Sequence, residues 1–172
     1  MFSKKIMLVL AIILIVVPMT AEAYTFTGNK FSNPTSLRYY IADSVTSNGF
    51  WADANHGGKA WNGASEIEAL ETFAYVSSDI RFAYSNTDKG DVVASEISEC
   101  RCLTNDYSNI TFWQGFRTDL DDVEQKETAA HEVGHSLGLD HENDVQSIML
   151  SKGFNRYIYP YADDWKGIAA RY

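Results

Sequence analysis

His131 and His135 stand four residues apart, and Glu132 follows the first of them. On an α-helix that spacing puts both imidazoles on one face, close enough to grip a single tetrahedral ion such as zinc. Glu132 then sits where a carboxylate reaches the water that such an ion activates. Three residues past His135 comes Gly138, which takes positive φ at no steric cost, so the helix can stop and the chain turn back. That return would bring His141 to the same ion as a third ligand. Three protein ligands and one open position are the plan of a catalytic zinc, whereas structural sites are usually closed by four. A helical His pair alone is often a surface or core feature. Here three of the chain's four histidines fall in this one stretch, and the glycine and third histidine supply the specificity.

The string from His131 to His141, HExxHxxGxxH, resembles the metzincin zinc-endopeptidase signature. That clan follows the motif with a methionine-containing turn beneath the metal, and Ser147-Ile148-Met149 offers Met149 for it. The segment from His141 to Met149 is most similar to the matrixin branch. So is the ending Asp163-Asp164-Trp165-Lys166-Gly167-Ile168 with Tyr172, and upstream Ala60-Trp61-Asn62 and Ser78-Asp79-Ile80-Arg81-Phe82 resemble the branch's first helix and second strand. The resemblance implies an α+β zincin catalytic domain: a twisted mixed sheet, an active-site helix, a Met-turn and a C-terminal helix. It implies Glu132 as the catalytic residue and one zinc on His131, His135 and His141. The matrixin second, structural zinc does not carry over, because outside the triad only His56 remains. Glu142 is what astacin-like enzymes show after the third histidine, while Ser151 stands where those enzymes place a tyrosine.

Lys4 and Lys5 precede an unbroken apolar run from Ile6 to Val17, Pro18 breaks it, and Ala21-Glu22-Ala23 has the small-x-small form of a cleavage site. The run is shorter than the about 20 residues a spanning helix needs. Residues 1–23 therefore read as a secretory signal and residues 24–172 as one catalytic domain, secreted and free of the membrane once the signal is removed. The formal charge of −9 argues against nucleic acid, since phosphate binding runs on clustered Lys and Arg. Cys100 and Cys102 could pair in an oxidising compartment, but a bridge across one residue closes almost no loop. Between Tyr24 and the first expected strand there is no room for the cysteine-bearing pro-segment of matrixins, so the enzyme is expected to be secreted active. A monomer is expected.

The elements that must position these residues follow from pattern. Leu37 to Val45, Ile80 to Tyr84, Val92 to Ile97 and Ile110 to Trp113 read as strands. Phe50 to Trp61 reads as a helix, weakened by Gly57-Gly58. Acidic Asp119, Asp121 and Asp122 open a helix running to about Leu137, where its dipole favours negative charge. A closing helix spans Asp163 to Arg171. Strands and helices in separate blocks give an α+β domain. Tyr39, Tyr40, Phe112 and Trp113 read as core, His56 as an ordinary exposed or capping histidine, and Asn109-Ile110-Thr111 matches a glycosylation sequon.

The expected activity is zinc-dependent hydrolysis of a protein or peptide substrate, with Glu132 taking the water proton and passing it to the leaving amine. The resemblance implies a substrate extended along an edge strand, Val92 to Ile97, with Leu150 to Tyr161 walling the pocket after the cut. Phe154, Tyr157, Tyr159 and Tyr161 hint that this pocket is apolar. It also implies structural calcium, for which Asp119, Asp121, Asp122, Asp144, Asp163 and Asp164 are candidate oxygen ligands; helix capping and surface solvation explain the same residues, and none forms an EF-hand loop. The rivals are an astacin-like or other metzincin, and a secreted zinc-binding module without catalysis.

Overall fold

The computed structural model describes residues 23–28, 30–101 and 104–172. Of the signal expected over residues 1–23, all but Ala23 lies outside the described residues, as does Cys102 of the possible Cys100–Cys102 pair. Strands β1 (Leu37–Ile41), β2 (Ala69–Glu71), β3 (Ile80–Tyr84), β4 (Ala94–Arg101) and β5 (Thr104–Phe112) form one sheet in the order β2-β1-β3-β5-β4. All neighbours are parallel except β4 and β5, so β4 is an antiparallel edge. In β1 and β3 every second residue is buried: Leu37, Tyr39 and Ile41, then Ile80, Phe82 and Tyr84. That period of two is the signature of strands with one face on the core.

The expected first strand ends early. Ile41 closes it, and Asp43–Thr46 forms a short helix, α1, which turns Val45 into the core from a different element. Helix α2 (Trp51–Lys59) keeps Gly57 and Gly58 inside it. A Cβ on Gly57 would come within 2.7 Å of the Ala129 main chain, and one on Gly58 within 2.8 Å of the Tyr39 ring. Both glycines therefore let α2 press against the sheet and against α4 (Asp122–Ser136). Their cost in helix propensity, about 1 kcal/mol each relative to alanine, is offset by this close packing.

The strand expected at Val92 begins at Ala94 and runs on to Arg101, and the one expected at Ile110 begins at Thr104. Trp113 leaves the strand to cap α3 (Gln114–Thr118), its indole donating to Ser95 Oγ at 3.0 Å. Helix α5 (Ala162–Arg171) closes the chain. The core of Tyr39, Phe82, Phe112, Trp61, Ala129, Ala130 and Val133 lies between the sheet and α2 with α4.

Candidate metal centre and active site

Helix α4 carries the first two histidines, and its ends are fixed by the sequence itself. Asp121 caps the start, accepting from Val123 N at 3.0 Å and Glu124 N at 3.1 Å, while Glu124 reaches back to Asp121 N at 3.0 Å. This reciprocal box contributes on the order of 1 kcal/mol. At the other end Gly138 adopts φ 93°, Gly138 N donates to His135 O and Leu139 N donates to Gly134 O. That is a left-handed glycine cap, and it sends the chain back along the helix. Asp140 and His141 follow, so His141 arrives beside the other two.

One ring nitrogen from each of His131, His135 and His141 lies within 4.8 Å of the others, and no other group of three or more such ligands forms among the described residues. His131 Nδ1 lies 2.8 Å from Ile148 O, and His135 Nδ1 lies 2.9 Å from Leu139 O. A carbonyl can only accept, so both Nδ1 atoms carry the proton and both Nε2 atoms keep a bare lone pair. His135 Nε2 and His141 Nε2 stand 3.2 Å apart. Two ligands of a tetrahedral zinc, each bound at about 2.05 Å, stand about 3.3 Å apart. The donor set thus fits zinc. Burial is the main cause that holds His131 down to about 3, with His135 and His141 adding to it, and burial also lowers His135. Both are therefore neutral, as ligands must be.

Glu132 is buried, and burial, reinforced by the nearby Glu96 carboxylate, pushes it up to about 8. A dication in the triad would draw that value back down. Met149 lies 1% exposed, its sulfur against α4 at Gly134, where any Cβ would collide with it. The turn below the triad is held by Asp164 of α5: its oxygens accept from Ser147 Oγ at 2.5 Å, Ile148 N at 2.9 Å and Tyr161 N at 2.6 Å. Ile148 O is the acceptor for His131, so α5 orients a ligand two links away.

The triad opens into a cleft of about 600 Å³ between the start of β4 and the segment after Met149. Val93, Ala94, Leu120, Thr128, Leu150 and Phe154 line it with His131, Glu132 and His141. Of the four aromatics expected to wall it, only Phe154 does. Tyr157 packs on Tyr159 and Tyr161, and Tyr159 lies against His56. His56 itself is half-buried and bonds Ile158 O at 2.6 Å, a structural link from α2 rather than an exposed histidine. The aspartates offered for calcium do not gather: Asp121 caps α4 and pairs with Arg156 at 2.7 Å, and Asp164 is taken by the turn. Calcium is therefore not supported.

Sequence reasoning missed Glu96, Ser108 and Ser136, which meet behind Glu132. Their spacing carries no motif; only the crossing of β4, β5 and α4 unites them. Glu142, which suggested an astacin-like enzyme, is buried and accepts from Asp144 N at 2.5 Å within its own loop. No curated protein matches the chain. The matrixin family model matches residues 34–172, from the approach to β1 through the last residue. A match of that extent, over a sheet, helix and histidine triad of this geometry, places the chain in the matrixin family, which implies a zinc metalloendopeptidase.

Proposed function

We propose that the protein is a secreted zinc endopeptidase that uses Glu132 as its general base and acid, with His131, His135 and His141 as the ligands. The observation that carries this reading is the pairing of three converging imidazoles with a buried carboxylate at the floor of an open cleft. When bound, zinc supplies Lewis-acid polarisation of the attacking water and the scissile carbonyl. Glu132 takes the proton of that water and returns it to the leaving amine. The Nδ1 bonds to Ile148 O and Leu139 O keep His131 and His135 aimed and neutral. Met149 packs beneath the ligands without binding, since a thioether is a soft donor poorly suited to zinc.

Polypeptide is the substrate class. It would lie extended against β4, whose outer edge has no strand partner among the described residues, so main-chain pairing lets one cleft accept many sequences. The residue after the cut would enter the space between Leu120, Thr128 and Leu150. Secretion rests on the apolar leader with its small-x-small site and on membership of the family; no described helix is long and apolar enough to cross a membrane.

A casein or gelatin digest with and without a zinc chelator tests this reading. Cleavage should stop with the chelator and return when zinc is restored. A protein that binds zinc and leaves every protein and peptide library intact would instead be a non-catalytic binding module.

A further inference from the structure

Helix α4 holds the cleft wall as well as two of the ligands. Glu127, one turn before His131, is 3% exposed, and its Oε1 accepts from the main-chain N–H of Asn155 at 2.7 Å. The Asn155 side chain donates from Nδ2 to Ser147 O at 2.6 Å, in the Met149 turn. Asn155 is thus gripped from α4 by its backbone and from the turn by its amide. Arg156 follows at φ 57°, the one non-glycine residue at positive φ among the described residues. That conformation is disfavoured for a residue with a side chain. Its guanidinium donates to Glu124 Oε1 at 3.1 Å and to Asp121 Oδ2 at 2.7 Å, at the start of α4.

The near end of the wall is tied as well. Ser151 N and Ser151 Oγ both donate to Asn143 Oδ1, at 3.0 and 2.9 Å. Between these anchors run Lys152, Gly153 and Phe154, and all of them line the cleft. Phe154 is the immediate neighbour of the residue that Glu127 grips, so where its ring stands depends on that grip. Stability alone does not favour a carboxylate at 127. Its Oε2 is buried without a hydrogen-bond partner, a desolvation cost that an apolar side chain of similar size avoids. What the carboxylate supplies is a charge-assisted acceptor for a loop N–H, roughly twice as strong as a neutral one.

We propose that Glu127 is a positioning residue for specificity: by clamping Asn155 it fixes Phe154 and so sets the width of the pocket that receives the residue after the cut. This rests on the peptidase reading and on the placement of that residue between Leu120, Thr128 and Leu150. Walls held at a fixed separation discriminate by size, since one methylene in a fitted apolar pocket is worth about 10–200-fold in kcat/KM. A wall freed at Asn155 gives way to larger side chains, and the discrimination flattens. Glu127 bonds none of the three histidines, so zinc binding does not depend on the clamp.

The test measures kcat/KM on two series of quenched peptides for wild type, Glu127→Leu, Glu127→Gln and Asn155→Ala, with zinc content determined on each. One series varies the residue after the cut through alanine, norvaline, leucine and phenylalanine; the other makes the same changes at the residue before it. Glu127→Leu and Asn155→Ala should narrow the wild-type spread of the first series by roughly 10-fold, with the second series and the zinc stoichiometry as in wild type. Glu127→Gln keeps an acceptor oxygen and should keep most of the spread. A change that merely lowers the amount of folded protein slows every peptide alike and leaves both spreads intact; that result in Glu127→Leu and Asn155→Ala overturns the proposal. So does a flattening of both series together, a Glu127→Gln as flat as Glu127→Leu, or a wild type without spread in the first series. Should Glu127→Leu fail to fold, Asn155→Ala decides alone. A wild type that cleaves nothing sinks the peptidase reading and the clamp with it; an active wild type whose variants keep both spreads sinks the clamp alone.

Discussion

Glu132 is a carboxyl that the fold holds in a place hostile to its charge. Burial dominates and pushes it up to about 8, above an unfolded value near 4.5. The folded, metal-free protein therefore binds more protons than the unfolded chain between these values, and this residue's contribution is present below the lower one and is lost as pH rises through the upper one. Glu132→Gln removes that loss. In chelated protein its stability advantage over wild type should grow from pH 5 to pH 8, reaching roughly a few kcal/mol by the scale of 1.36 kcal/mol per pKa unit. Thermal melts of both proteins across that range check the sign; an advantage that shrinks with pH would contradict it. Met149 makes the contrasting case of a residue that packs and does no chemistry. Met149→Leu, close in volume, should cost less than about 1.5 kcal/mol and keep most activity. Loss of bound zinc in that variant would show that the sulfur holds the metal after all.

At the scale of elements, what was legible in the sequence was whatever is local in the chain. Helix α4 announced itself by the acidic Asp119, Asp121 and Asp122 at its start, which suit the helix dipole, and by Gly138 at its end; of the three, Asp121 is the cap. Strand β3 was read to its limits because Ile80, Phe82 and Tyr84 alternate with half-exposed residues. Strand β2 was missed, since three residues hold no period and Ala69–Glu71 is a strand only by pairing with β1. The first half of β5 is polar and reads as loop; antiparallel pairing with β4 makes it strand, and β3 joins only from Ser108 onward. Residues 24–27 run antiparallel beside the third ligand: Phe26 bridges Leu139, Asp140 N donates to Thr25 O, and Thr25 Oγ1 donates to His141 O at 3.0 Å. A chain trimmed to Asn33 loses these bonds, so its turnover on a quenched peptide should fall by several-fold relative to one beginning at Tyr24, at about 1 kcal/mol per lost bond. A rise on trimming would mean that this segment inhibits.

On the whole-molecule scale the sheet, the helix beneath it and the turn from α5 form one frame around the triad, and each part is held by different chemistry. Apolar burial seats α2 and α4, a buried carboxylate ties α5 to the Met149 turn, and a glycine returns the chain to deliver His141. The charge of −9 surrounds that frame with a field that favours cationic partners. Peptides flanked by Lys should be cut with higher kcat/KM than Glu-flanked ones at low salt, and the ratio should fall toward one as added salt screens the field; a ratio indifferent to salt would place the discrimination in the cleft instead. The division of labour inside the frame, in which the histidines hold the ion and Glu132 moves the proton, is open to one direct measurement: zinc content and turnover determined together on Glu132→Gln. Stoichiometric zinc is expected with kcat lowered by about 10²–10⁴-fold, the usual contribution of a positioned acid–base group. A zinc-loaded Glu132→Gln that cleaves at the wild-type rate would contradict it.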